Sequence, residues 1–325
     1  MALKNLSVGA WTFANIIDRN ILYADKTKYI YDLLNANEKD YFLSRPRRFG
    51  KTLLLYTLEE LFSGNRERFK GLWIDASDYD FKKHPVIFFS LSLESRTPDI
   101  LMANINNDLK TLARKAELEL TDATPATYFG NLIQALSEKS KSEVVVLIDE
   151  YDAPVTRNMA HPEIAQSNAD ILHDFFATLK KVNVAPLIHF TFVTGITRYA
   201  LTSMDSGANH LIDISLNPQF AGICGFTLEE FDSLFSERLP DVLASLAAKG
   251  EIKENVDIKG LKSKILDWYN GYNWEGPTKV LNPYSIINFF KNTYFDNFWI
   301  LSGRPGRLSA LIKEKPQDGF VRNMM

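Results

Sequence analysis

The sequence predicts an α/β protein: a parallel, doubly wound sheet flanked by helices, followed by a mostly helical C-terminal subdomain. Three observations predict it. Five short apolar runs are rich in β-branched and aromatic residues, and several lack strict polar alternation, which is how strands buried on both faces read. Segments with helical spacing separate most of them, the alternation of a βαβ architecture. Near Gly225 the pattern changes, and from Phe226 onward helical segments continue without a convincing buried strand.

The elements follow in order. The expected strands are Tyr41–Ser44 (YFLS), Val86–Ser92 (VIFFSLS), Val144–Ile148 (VVVLI), His189–Val193 (HFTFV) and Leu211–Leu216 (LIDISL). The expected helices between them are Leu53–Phe62, Ile100–Ala116, Ala126–Ser137 and Ala169–Lys181. Thr227 followed by Glu230 spells a capping box ahead of a further helix. Pro240–Ala248, Ile258–Tyr269 and Pro283–Thr293 then read as helices. These features divide the chain into a core over 1–225, a helical lid or second subdomain over 226–312, and a polar tail over 313–325.

Composition excludes several classes. The 325 residues are 46 % apolar and 24 % charged, ordinary for a chain that buries a full core and unlike a disordered or collagen-like one. The net charge of −3 gives no support to a nucleic-acid or membrane-surface role. Cys224 is the single cysteine, so no intrachain disulfide and no cysteine-rich metal site can form. It reads as a buried small hydrophobe, and the context as a reducing cytoplasm. The N-terminus lacks a signal-peptide pattern and no apolar stretch is long enough to span a membrane. The five histidines show no zinc spacing.

The most informative stretch is Arg45–Thr52 (RPRRFGKT), between the first strand and its helix. Gly50-Lys51-Thr52 ends a P-loop, G-x-x-x-x-G-K-[ST]. Such a loop wraps backbone N–H groups round phosphate oxygens at a helix N-terminus. Glycine permits close approach, lysine reaches the outer phosphates, and the hydroxyl binds Mg²⁺. Arg45 stands at the first glycine position, so Arg45, Pro46, Arg47, Arg48, Phe49, Gly50, Lys51 and Thr52 are the candidate phosphate cradle. A second stretch, Val144–Glu150 (VVVLIDE), is a strand ending in paired carboxylates, the Walker B pattern. Asp149 is the candidate magnesium anchor with Thr52, and Glu150 the candidate base facing an attacking water. The strand Val86–Ser92 lies between the two stretches in the chain, the arrangement expected when the base is a glutamate beside the aspartate. The third stretch is Phe190–Arg198 (FTFVTGITR): Thr194 suits a polar contact to the γ-phosphate and water, and Arg198 a cation near the transferred phosphoryl group. Tyr23 is a candidate stacking partner for adenine, weighed against a plain turn and N-cap before a helix at Lys28–Leu34.

With these residues in place the sequence resembles the AAA-ATPase-like family of predicted bacterial and archaeal P-loop ATPases. The segments that carry the resemblance are Tyr23–Thr27 (YADKT), Phe42–Leu54, Val146–Pro154 (VLIDEYDAP), Val193–Tyr199 (VTGITRY), Ile223–Thr227 (ICGFT), Trp268–Trp274 (WYNGYNW), Asn282–Ile286 (NPYSI) and Asn297–Gly303 (NFWILSG). The resemblance implies a P-loop NTPase fold of the ASCE, AAA-like type, with ATP and Mg²⁺ as cofactors, and it makes Arg45 a family habit rather than the mark of a dead site. Members commonly continue into a PD-(D/E)xK nuclease-like domain, which this stretch of chain lacks; the chain is either naturally short or a fragment. Pro240-Asp241 with Glu251-Ile252-Lys253 spells that motif, but the intervening residues are helical, so the carboxylates are not expected on adjacent strands. The four aromatics of Trp268–Trp274 are expected to plug a subdomain interface rather than stack bases.

The function expected is Mg²⁺-dependent ATP binding and hydrolysis coupled to a conformational change. The alternatives are a nucleotide-dependent interaction module that hydrolyses little, and a remnant that binds another anion. The partners left open are an unknown protein or effector domain, a second copy of the chain, and nucleic acid, the last without support from the net charge; no membrane partner is expected.

Overall fold

The structure, a computed structural model, describes residues 3–9, 12–198, 207–253, 255–274 and 276–299. Two helices, α1 (Phe13–Asp18) and α2 (Thr27–Leu34), precede the first strand, β1 (Asp40–Ser44). Then come α3 (Lys51–Phe62), β2 (Val86–Ser90), α4 (Pro98–Lys115), α5 (Pro125–Ser140), β3 (Val144–Asp149), the single turn α6 (Ala153–Thr156), α7 (Pro162–Ala177), β4 (Ile188–Gly195) and β5 (Ile212–Asp213).

These five strands form one parallel sheet in the order β2-β3-β4-β1-β5. The strand that separates β1 from β3 in space is therefore β4, while Val86–Ser90 lies at the sheet edge; interposition along the chain and interposition in the sheet belong to different strands. Every residue of β3 is buried. Val144, Val146 and Ile148 face a cluster with α4, α5 and α7, and Val145 and Leu147 face the cluster with α1, α2 and α3. Two-sided burial explains the unalternating run, since each such side chain contributes roughly 1.5–3 kcal/mol on either face. The register Ser44↔Gly195 and Ile148↔Val193 brings the carboxyl ends of β1, β3 and β4 side by side, which is where ligands of open α/β sheets bind.

Two strands are shorter than the sequence suggests. β2 stops at Ser90, whose Oγ accepts from Ser92 N–H in a turn, and β5 stops at Asp213, whose Oδ1 accepts from Ser215 N–H. Side chains that bond the backbone two residues on compete with the ladder.

After Gly225 the described residues are mainly helical, with one correction. The helices are α8 (Leu228–Phe235), α9 (Leu239–Ala248), α10 (Ile258–Tyr269) and α11 (Pro283–Asn292). A three-stranded antiparallel sheet joins them: β6 (Phe226–Thr227), β8 (Lys279–Leu281) and β7 (Tyr272–Asn273), in that order, with Val280 and Leu281 fully buried. Strands of two or three residues are too short for a period of two to register in the sequence. The capping box is present: Glu230 N–H donates to Thr227 Oγ1 and Thr227 N–H to Glu230 Oε2. A third apolar cluster, around Phe231, Phe235, Leu261, Ile265 and Phe289, takes in Leu22 and Ala24 from the N-terminal segment. Lys26 strengthens that junction by donating to Gly222 O at 2.7 Å and pairing with Glu230 at 2.6 Å. Asp241 lies in the first turn of α9, so it shares no sheet with Glu251. Residues 300–312 of the expected subdomain and the tail 313–325 lie outside the described residues. Among the described residues no helix is long and apolar enough to cross a membrane.

At the amino ends of the strands the rings of His84 and His189 stack with centroids 4.0 Å apart. Burial and the neighbouring His84 push the His189 imidazole below its ordinary range, against the opposing pull of Glu143, whose carboxylate lies 3.3 Å away. A histidine depressed in the folded state binds fewer protons there than when unfolded, so stability is lost as pH falls through and below about 6.5. The melting temperature of the wild type is expected to drop more steeply between pH 7 and pH 5 than that of His189→Gln; parallel profiles would show that the stack does not govern the acid limb.

Candidate active site

The loop after β1 turns on two residues with positive φ, Arg48 (+67°) and Gly50 (+97°). Gly50 is the N-cap of α3, and its left-handed backbone is one that glycine adopts without strain. Lys51 and Thr52 then occupy the first turn of α3, where backbone N–H groups and the helix dipole face an anion. Lys51 is buried and its Nζ donates to Arg45 O at 2.8 Å and Pro46 O at 3.1 Å, the loop's own carbonyls. Burial lowers the ammonium's pKa, and Asp149 partly offsets this.

Asp149 ends β3 with its carboxylate between two hydroxyls. Thr52 Oγ1 donates to Oδ2 at 2.6 Å and Thr194 Oγ1 donates to Oδ1 at 2.5 Å. The adjacent positions of β3 and β4, together with the start of α3, make this meeting. Glu150 follows with φ +48°, and its N–H also donates to Asp149 Oδ1, at 2.9 Å. Its side chain points to Arg157, with Oε2 3.6 Å from the guanidinium.

Gly50, Lys51, Thr52, Asp149, Glu150 and Arg157 line one cleft of about 610 Å³, within the usual range for small-molecule and cofactor sites, whereas Thr194, expected at the γ-phosphate, is fully buried against Asp149 and does not line it. Lys51, Thr52, Asp149, Glu150 and Arg157 are among its polar lining, and Leu22, Tyr23, Ile223 and Phe226 are among its apolar lining. A hard cation such as Mg²⁺ takes oxygen ligands and keeps waters and substrate phosphates in its shell, so a hydroxyl and a carboxylate meeting at one point fit it. Among the described residues no group of three or more His, Cys, Asp or Glu could hold a metal ion unaided.

Not every sequence-predicted residue faces this cleft. The Arg45 side chain is only 1 % exposed and turns away, with Nη1 donating to Ser44 O at 2.9 Å and Ser215 O at 2.7 Å, and Nη2 to Phe220 O at 3.3 Å. The guanidinium lies 4.5 Å from the centre of the Trp274 ring, and burial lowers its pKa to about 10. Arg45 is thus a peg beneath the loop rather than a phosphate contact, and it needs no anion because carbonyl oxygens and a ring face surround it. Pro46 does not line the cleft either; its carbonyl accepts from Lys51 Nζ. Arg47 and Arg48 are exposed along the cleft, and Arg48 lies over Tyr284 at 4.9 Å. The Phe49 ring is buried against Tyr272 and Trp274, at 4.6 and 5.8 Å. Tyr23 lines the cleft with its hydroxyl 3.4 Å from Thr57 Oγ1, and burial pushes its pKa up. Arg198 does not line the cleft: its Nε pairs with Asp213 Oδ2 at 2.5 Å, at the end of β5, and the side chain is 55 % exposed. The carboxylate that captures it lies on the far side of β1 from β4, so an arginine following β4 is drawn sideways.

Sequence reasoning missed Arg157, Tyr151 and Asp152. Asp152 is buried and accepts from Ile196 N–H, Thr197 N–H and Thr197 Oγ1, while Tyr151 Oη donates to Thr197 O at 2.8 Å. Burial raises the pKa of Asp152 against these bonds. Together they fix the turn that follows Thr194. A side chain at Gly195 would place its Cβ 2.4 Å from the Tyr151 ring, so that close approach requires glycine. The available signal was Tyr151-Asp152 directly after the paired carboxylates.

A parallel sheet in this strand order, with a glycine-lysine-threonine loop and a strand-end carboxylate at its carboxyl edge, defines a protein of the P-loop NTPase fold class. Residues 7–205 match the model of the family described as "Predicted AAA-ATPase", and the chain belongs to that family. It is also similar to an "Uncharacterized protein in vnfD 5'region" of Azotobacter chroococcum mcd 1, at 33 % identity over 327 residues and 97 % of this chain. The chain spans 57 % of that relative's length.

Proposed function

We propose that this cleft binds ATP with Mg²⁺ and hydrolyses it, and that the state of the nucleotide is transmitted to the C-terminal helices. The observation that carries this reading is the Asp149 carboxylate bracketed by the hydroxyls of Thr52 and Thr194, one helical residue away from Lys51. Thr52 and Asp149 would hold the magnesium, which when bound neutralises phosphate charge. Lys51 leaves the loop carbonyls for the outer phosphates, where a full anion is a better acceptor than a peptide oxygen. Glu150 orients a water and takes its proton as the water oxygen bonds to the γ-phosphorus. The bond from that phosphorus to the β–γ bridging oxygen breaks, and its electron pair leaves with ADP.

The coupling reading rests on what grips the loop from below. Phe49 packs on Tyr272 and Trp274, Arg45 on Trp274, and Gly225 N–H donates to Phe49 O at 3.1 Å. A change in the phosphate loop therefore meets the β7–β8 hairpin through Phe49 and Arg45, and α11 through Arg48 over Tyr284. The reading places the reaction in the cytoplasm, where MgATP is abundant.

Lys51→Ala tests the binding half. Charge-assisted contacts are worth roughly 1.5–3 kcal/mol, so calorimetry is expected to show ATP affinity about 10- to 100-fold weaker. Unchanged affinity would remove the loop from the phosphate site. Phosphate release by the wild type tests the catalytic half: tight binding without turnover would make the chain a nucleotide-dependent interaction module.

A further inference from the structure

We propose that Arg157 is the positioning residue for Glu150, tying the proposed base to the end of the neighbouring strand β2. The inference rests on the hydrolysis reading above and adds to it a residue that the sequence did not single out. Arg157 follows α6 directly, and its N–H donates to Ala153 O at 3.0 Å, so the helical turn returns it towards the strand ends. Its Nη1 donates to Leu93 O at 3.1 Å and its Nη2 to Ser92 Oγ. The same Nη2 lies 3.6 Å from Glu150 Oε2. Ser92, Glu150 and Arg157 all line the cleft.

The geometry assigns Arg157 a holding role rather than a phosphate contact. Both terminal nitrogens are already engaged by the segment after β2, which anchors the cation beside the carboxylate. Glu150 is pinned at its other end too, through its N–H to Asp149 Oδ1 and through Ala153 N–H donating to Glu150 O at 3.0 Å. With φ at +48°, the Glu150 backbone occupies a left-handed region that is unfavourable for a non-glycine residue, so the surrounding bonds must hold it there. An ion pair between half-exposed groups adds little stability. Its effect is to limit where the carboxylate can lie when a water must be met at close range, and small misplacements of a reacting group cost up to about 10²-fold in rate.

The test compares Arg157→Ala, Arg157→Lys, Glu150→Gln and the Glu150→Gln/Arg157→Ala double variant, with steady-state MgATP hydrolysis, calorimetric ATP affinity and thermal melting. Arg157→Ala is expected to lower kcat about 10- to 100-fold with KM and ATP affinity within about threefold of wild type. Arg157→Lys is expected to recover part of kcat, since a cation returns without the forked geometry. The double variant is expected to match Glu150→Gln within about twofold, because a group that acts only through Glu150 has nothing left to position. Wild-type kcat in Arg157→Ala alongside a slow Glu150→Gln would overturn the positioning role and leave the hydrolysis reading standing. A raised KM with losses that multiply in the double variant would put Arg157 on the phosphates and also overturn it. A wild type without turnover, or a Glu150→Gln as fast as wild type, would overturn both. If Arg157→Ala melts before it can be assayed, the kcat and KM of Arg157→Lys decide: wild-type values overturn the role, and a kcat loss at unchanged KM upholds it.

Discussion

Glu150→Gln is expected to bind ATP as tightly as the wild type and to lose turnover by about 10²- to 10⁴-fold, the usual span for a general base. The substitution keeps the shape of the side chain and its hydrogen-bonding ends but removes the negative charge that accepts a proton. Binding survives because the groups proposed to grip the nucleotide are elsewhere: Lys51 and Thr52 are on α3, and Asp149 keeps both of its hydroxyl donors. The Glu150 N–H that donates to Asp149 belongs to the backbone and is also untouched. Loss of turnover with retained affinity therefore separates chemistry from binding. Calorimetry gives the affinity and phosphate release under saturating MgATP gives the rate. A variant that hydrolyses ATP at the wild-type rate would remove Glu150 from the reaction.

How much of this was legible in the sequence depends on how local each signal is. β1, β2, β3 and β4 are legible because apolar, β-branched and aromatic runs leave a mark within five to eight residues; the sequence marks the position of β5 but makes it too long, because Asp213 ends it with a turn after two residues. The two- and three-residue strands β6, β7 and β8 left none. The residues that the structure brings together at the site, Lys51, Thr52, Asp149, Glu150 and Thr194, each sit where a strand ends or a helix begins, so topology alone delivers them to one edge. Arginine placement was not legible, because a long cation goes to the nearest acceptor in space. Asp213, two strands across from Arg198 in neither spacing nor motif, captures that side chain, whereas Arg157 returns to the cleft by way of one helical turn. The charge cluster Arg45–Arg48 carries the same ambiguity: of three arginines close in sequence, Arg45 goes to a carbonyl-lined pocket, while Arg47 and Arg48 go to the cleft, Arg48 over the Tyr284 ring.

Arg45→Gly restores the general P-loop spelling at its first position, and it is expected to damage the protein rather than improve it. A glycine there is useful where the backbone needs its conformational freedom. In this loop the positive φ values fall at Arg48 and Gly50, and Arg45 continues from β1 with its N–H donating to Gly195 O at 3.2 Å. What the substitution removes is a buried guanidinium that satisfies Ser215 O and Phe220 O and covers the Trp274 ring. Phe220 O keeps a second donor, Ile223 N–H at 3.2 Å, but Ser215 O loses the guanidinium, and a buried carbonyl left without a donor costs about 1–3 kcal/mol, before any loss from the vacated volume. The cost falls on the junction between the phosphate loop, the segment around Ser215 and the β7–β8 hairpin, so ATP affinity is expected to weaken along with stability even though Arg45 touches no phosphate. Arg45→Lys is expected to recover only part, because an ammonium lacks the planar fork that reaches carbonyls on two sides and stacks on an indole. Thermal melting of the three proteins, with calorimetry on those that stay folded, measures both effects. An Arg45→Gly protein that melts with the wild type and binds ATP as well would mean that the buried arginine holds nothing together.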